Sequence, residues 1–177
     1  MSFLQLNENE GSSMYIQFVF KDGVWKSNDE IIEAKYFMIH PDFKTGFTKY
    51  ENGVYKNMWD EKVGVRPDNY KELMADGYSR SFWCRVLIKD KGVFVWSRNS
   101  TFEGKAFDEA ISSAWSDKVD GKAPVFEYMG NESITLSYGK GFQAKLKYLE
   151  WKDIPEDFDE QLGDDSSDDQ ESEGIPF

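Results

Sequence analysis

One cysteine and one histidine among 177 residues remove several classes of function at the outset. A lone Cys84 cannot form an intramolecular disulfide, so a reducing compartment, the cytoplasm, is expected. Cys84 alternates with bulky apolar residues in "SFWCRVLI" and has no CxxC or Cys/His partner spacing for zinc. It reads as a buried structural thiol. His40, the lone imidazole, precedes Pro41 where a strand should end; Ser-His-Asp chemistry needs a histidine held by a neighbour, which only geometry can show. There is no GxxxxGK[ST] and no GxGxxG, and the pairs Asp29-Glu30 and Asp108-Glu109 read as solvated surface. The chain is therefore read as a non-enzyme without cofactor or metal. No apolar run approaches the roughly 18 residues of a membrane span. The opening "MSFLQLNENEG" lacks the basic start and apolar run of a signal peptide.

Positive charge is short overall but not in the body. The chain carries 33 acids and 21 bases, a net of −12. No Lys or Arg follows Lys152, whereas eleven acids do, which leaves 22 acids against 21 bases in residues 1–152. The low pI of 4.6 thus describes the tail, and a nearly neutral body can hold a basic patch.

Strand signals dominate that body. "MYIQFVF" alternates apolar and polar residues and turns at Lys21-Asp22-Gly23 into "VWKS"; "AKYFMI" at 34–39 is the next strand. "TGFTKY" precedes a long irregular stretch, 51–77, that holds Tyr55, Trp59, Arg66, Tyr70 and Lys71, and a loop of that length is usually functional. Arg80–Asn99 reads as a strong hairpin around Lys91-Gly92. "STFEGKAFDEAISSAW" reads as a helix, with Ser100 and Glu103 at capping-box spacing and Phe107, Ala110, Ile111, Ala114 and Trp115 on one face. Strands at about 133–138 and 142–151 flank a Gly139-Lys140-Gly141 turn. The expected class is mainly β, an OB-fold-like Greek-key barrel with one helix over residues 1–152. Residues 153–177 follow as a disordered acidic tail, too charged to order themselves.

Aromatic residues reach 16%, and they interleave with cations. Single-stranded nucleic acid is held by this combination, with bases stacked on rings and phosphates tracked by Lys and Arg. Arg80–Lys105 contains six cations and two acids. Within it Arg80, Trp83, Arg85, Lys89, Lys91, Phe94, Trp96 and Arg98 are the candidate DNA-contacting residues. A two-residue Lys91-Gly92 turn, the favoured register, puts Trp83, Arg85 and Lys89 on one face with Phe94, Trp96 and Arg98. A three-residue Asp90-Lys91-Gly92 loop instead separates Trp83 from Trp96, and core burial is the competing reading for every ring.

The tail closes on "DDQESEGIPF". A Phe ring can fill a partner's apolar pocket, its carboxylate can meet a cation, and upstream acids speed encounter with a basic rim. Pro176 lowers the ordering cost. An acidic run ending in Ile175-Pro176-Phe177 resembles the tip of bacterial single-stranded DNA-binding proteins. The match covers about the last ten residues, and Glu173-Gly174 stands where that family usually has unbroken aspartates. The body lacks the opening strand motif of the bacterial proteins and looks more like a bacteriophage-encoded relative. The resemblance implies an OB-fold body that coats single-stranded DNA during replication, recombination or repair. It also implies a tip (Asp168, Asp169, Ile175, Pro176, Phe177) that recruits partner enzymes. The alternatives are an acidic decoy of a nucleic-acid-binding enzyme and, less favoured, a metal-dependent nuclease. Oligomer number is left open, a homo-oligomer included.

Overall fold

The computed structural model describes residues 14–98, 101–137 and 139–159. The class is mainly β, one sheet curled into a half-barrel. Its strands are β1 (Tyr15–Val19), β2 (Val24–Ser27), β3 (Glu30–Ile31), β4 (Tyr36–Ile39), β5 (Lys44–Glu51) and β6 (Val54–Trp59). They continue as β7 (Ser79–Ile88), β8 (Gly92–Arg98), β9 (Lys122–Leu136) and β10 (Gly139–Asp153). Helix α1 (Tyr70–Ala75) precedes β7, α2 (Thr101–Trp115) joins β8 to β9, and α3 (Glu156–Asp159) follows β10.

The sheet runs β10-β9-β4-β7-β8-β1-β2-β3, with the β1–β8 pair parallel. β4 and β5 share one edge of β7, the first pairing with its end at Val86–Ile88 and the second with Ser79–Trp83. His40-Pro41-Asp42 makes the bend between them, where the His40 N–H donates to the Arg85 carbonyl. The curl brings the β1–β2 turn to β10, where the Phe142 N–H donates to the Phe20 carbonyl at 2.8 Å.

Alternation along these strands sends one set of side chains inside. Ile16, Phe18, Trp25, Phe37, Phe82, Cys84, Phe94, Trp96 and Phe126 fill the interior, closed by Ala106, Phe107, Ala110 and Ala114 of α2. Phe107 stacks on Phe82 at 4.4 Å. Glu103 is buried, and its Oε2 accepts both the Phe18 N–H (2.7 Å) and the Trp96 indole N–H (3.0 Å). One carboxylate so ties α2 to β1 and β8. The capping partner expected for it, Ser100, lies outside the described residues.

Several expectations change. Ile88 pairs with Gly92, so the β7–β8 loop is the three residues Lys89-Asp90-Lys91, with Asp90 at φ 67°. The favoured two-residue turn is not formed, and the register shifts with it. The stretch 51–77 contains β6 and α1 rather than irregular chain. The last hairpin turns between Leu136 and Gly139, which pair, so both glycines of "GKG" lie in β10. Finally, the body extends past 152. Asp153 pairs with Lys122, and Phe158 is buried on the opposite face of the sheet with Met38, Leu87, Ala123 and Val125.

Candidate nucleic-acid interface

Residues paired across a sheet share a face, so the register identifies what stands opposite the core. Trp83 pairs with Lys44 of β5 and Ser97 of β8. Gly46 pairs with Ser81 and Trp59, Thr48 with Ser79 and Asn57, Tyr50 with Tyr55, and Tyr15 with Val95. All of these lie on the face turned away from Phe82, Cys84 and Trp96. They form an aromatic band across the strands.

At its centre the Lys44 ammonium lies 5.1 Å from the Trp83 ring and 5.7 Å from the Trp59 ring. Cation–π attraction holds all three together while leaving ring surface partly open. Gly46 makes this possible: a Cβ there would fall 2.4 Å from the Met58 carbonyl oxygen and 2.8 Å from Trp59 Cε3. Beneath the band, Thr48 Oγ1 donates to Asn57 Oδ1 at 2.9 Å, which leaves Ser81 Oγ to donate to Thr48 at 2.6 Å. Further out Tyr15, Tyr50 and Tyr55 are each about three-fifths exposed (60%, 61% and 64%).

The residues singled out from sequence divide sharply. Trp83 belongs to the band. Trp96 and Phe94 do not: both are buried in the core, so neither presents a ring to a base. Arg85 faces the right side of the sheet but is buried beneath Phe158, donating to its carbonyl at 2.7 Å with the ring 5.5 Å from the guanidinium. Arg80 is engaged elsewhere. Its two terminal nitrogens bond Asp60 at 2.9 and 2.7 Å, and it packs over Phe47. Lys89 and Lys91 are exposed on the β7–β8 loop, with Lys89 5.8 Å from the Tyr36 ring. Arg98 ends β8, and its side chain lies outside the described residues, as do Asp168, Asp169, Ile175, Pro176 and Phe177.

Lys44, Trp59, Tyr50 and Tyr55 were not singled out as a set. The signal for them is Asn52-Gly53, a type I′ hairpin dipeptide whose residues take φ 55° and 80°. With that turn placed, the pairs Tyr50/Tyr55 and Gly46/Trp59 follow by counting outward.

Other chemistry finds little here. Burial pushes the Cys84 thiol far above its ordinary range, so it is a poor nucleophile. His40 is buried, its Nδ1 accepting the Asp42 N–H and its ring edge-on to Phe158. Among the described residues no group of three His, Cys, Asp or Glu side chains converges as a metal site. None of their helices is long and apolar enough to cross a membrane. No family model, curated protein or solved structure matches this chain.

Proposed function

We propose that this chain binds single-stranded DNA without reading its sequence, through the aromatic band on the sheet face opposite the core. The observation that carries this is Lys44 held between the Trp59 and Trp83 rings. An unpaired base offers a π-face to either indole, and the ammonium beside the rings meets the phosphate that follows it. A duplex hides its base faces in the stack, so single strands are preferred. Thr48, Asn57 and Ser81 between the rings bond one another, and stacking, which any base can make, is left as the main contact.

The acidic tail supplies the second half of this reading through its resemblance to the bacterial proteins. Coated DNA is delivered to replication, recombination and repair enzymes by a tip centred on Phe177. The protein performs no reaction in this role.

Titration of the full chain with fluorescent oligo-dT, with and without magnesium, tests the proposal. Trp59→Ala and Trp83→Ala should each weaken binding by about 1–3 kcal/mol with the fold intact. Absence of binding would favour the acidic-decoy reading, and magnesium-dependent cleavage would favour the nuclease.

A further inference from the structure

The β5–β6 hairpin leaves the sheet before it ends. β5 pairs with β7 only as far as Thr48, whereas it pairs with β6 through Lys49–Lys56, Tyr50–Tyr55 and Glu51–Val54. The last three pairs therefore project as a two-stranded ribbon, closed by the tight Asn52-Gly53 turn. Its base is anchored: Lys49 bonds Asp76 at 3.3 Å and sits 5.5 Å from the Tyr78 ring. On the same side of the ribbon Lys49 and Lys56 both contact Glu51, at 3.4 and 3.0 Å. These bonds, Lys56's first, hold the Glu51 carboxyl below its usual range, so the ribbon's charged side is already paired.

Its other side carries only Tyr50 and Tyr55, with ring centroids 4.8 Å apart and planes at 57°. Two exposed rings on a projecting ribbon have no role in the core. They continue the face that holds Trp59 and Trp83, four residues further along β5 from Gly46, roughly 13 Å at the rise of a strand.

We infer that Tyr50 and Tyr55 form a second base-stacking station on this ribbon, which engages only single strands long enough to reach it from the Trp59–Lys44–Trp83 cluster. This rests on the proposed DNA-binding role and adds a length requirement to it. With bases stacked about 3.4 Å apart, 13 Å corresponds to about four nucleotides beyond the first station. The strand pairing and the Glu51 contacts set the backbone that carries the two rings before DNA arrives, which lowers the ordering required on contact.

The test compares dT4 with dT12 on the full-length protein. Tyr50→Ala/Tyr55→Ala together should weaken dT12 binding at least tenfold and dT4 binding less than twofold. Tyr50→Phe/Tyr55→Phe, which keeps both rings, should bind dT12 like the parent. Both sites are exposed, so thermal unfolding should be unchanged. Equal losses on the two lengths, or no loss on dT12, would overturn the second station while leaving the first in place. Failure of the parent protein to bind either oligonucleotide would instead remove the DNA-binding reading itself. A ribbon that docks a protein would show as dT12 affinity indifferent to the rings.

Discussion

Trp83 and Trp96 stand one residue pair apart on adjacent strands and face opposite ways. Trp83 pairs with Ser97 beside Lys44, while Trp96 pairs with Cys84 and donates its indole N–H to buried Glu103. One ring is partly exposed on the outer sheet face, and the other holds the interior together.

The two tryptophans should therefore separate in a single experiment. Trp96→Ala opens a cavity beside Trp25, Phe82 and Phe107 and removes one donor from the buried Glu103 carboxylate, so it should cost about 3–5 kcal/mol of stability. Trp83→Ala should leave the melting temperature within a few degrees and weaken oligo-dT binding by about 1–3 kcal/mol. Denaturant unfolding and a binding titration on the same preparations measure both. The reverse pattern would exchange the two assignments.

Arg80 and Lys44 make a similar contrast among the cations. The Asp60 side chain is fully buried and accepts from Arg80 and from Thr45 Oγ1, while Thr45 Oγ1 accepts the Gly64 N–H. Arg80 so fixes the segment that follows Trp59, and it has no free fork for phosphate. Arg80→Ala should destabilise the fold by about 1–3 kcal/mol, discounted for its partial exposure, and leave the salt dependence of DNA binding unchanged. Lys44→Ala should leave stability nearly unaltered and reduce the slope of log K against log salt by about 0.7, one phosphate's share on a single strand. Binding measured across a salt series, alongside unfolding, decides which cation touches the backbone of DNA.

The mainly β class was readable because its hydrophobic alternation is local. Tyr15–Val19, Val24–Ser27 and the α2 face each declare themselves within a few residues. The face of Trp83 was not readable in that way. It depends on whether the β7–β8 loop holds two residues or three, and a one-residue change flips every side chain. Lys89-Asp90-Lys91 lacks the Asn-Gly or Gly-first pair that would have fixed the count, and Asp90 takes the positive φ instead. The β5–β6 hairpin was the opposite case: Asn52-Gly53 was a legible turn, but its strands carry so many exposed charged and aromatic residues that they lack an alternating core signal. Arg85 illustrates a third limit. Nothing near it in sequence indicates that Phe158, 73 residues later, will cover it.

The cover at Phe158 bears on where the tail can be cut. Removing Glu160–Phe177 should preserve the body's stability and tighten oligo-dT binding at low salt, because a tethered polyanion competes with phosphates for the same cations. Removing Asp153–Phe177 also takes away the last β9–β10 pair and the buried Phe158 ring, along with the carbonyl that Arg85 bonds. That longer truncation should lose about 3–5 kcal/mol, the range for emptying a Phe site. Thermal melts of the two truncations should differ clearly. Equal stability would mean that α3 adds nothing to the fold.

Phe177 should matter to protein partners and hardly at all to DNA. Oligo-dT binding is assigned to rings on the sheet face, and one ring at the end of a polyanion adds nothing to it. As an anchor in a partner's pocket, the same ring can be worth 2 kcal/mol or more, upwards of about 30-fold in affinity. Deleting Phe177 alone should abolish capture of replication and repair enzymes while oligo-dT affinity stays within about twofold. Neutralising Asp168 and Asp169 should act differently, slowing association and flattening its salt dependence, because those charges steer the encounter rather than fill the pocket. Surface-bound partner enzyme, the parent chain and these two variants are enough to read both rates. Enzymes retained equally well without Phe177 would remove the recruiting role from the tip and leave the acidic run as a competitor for the DNA-binding face.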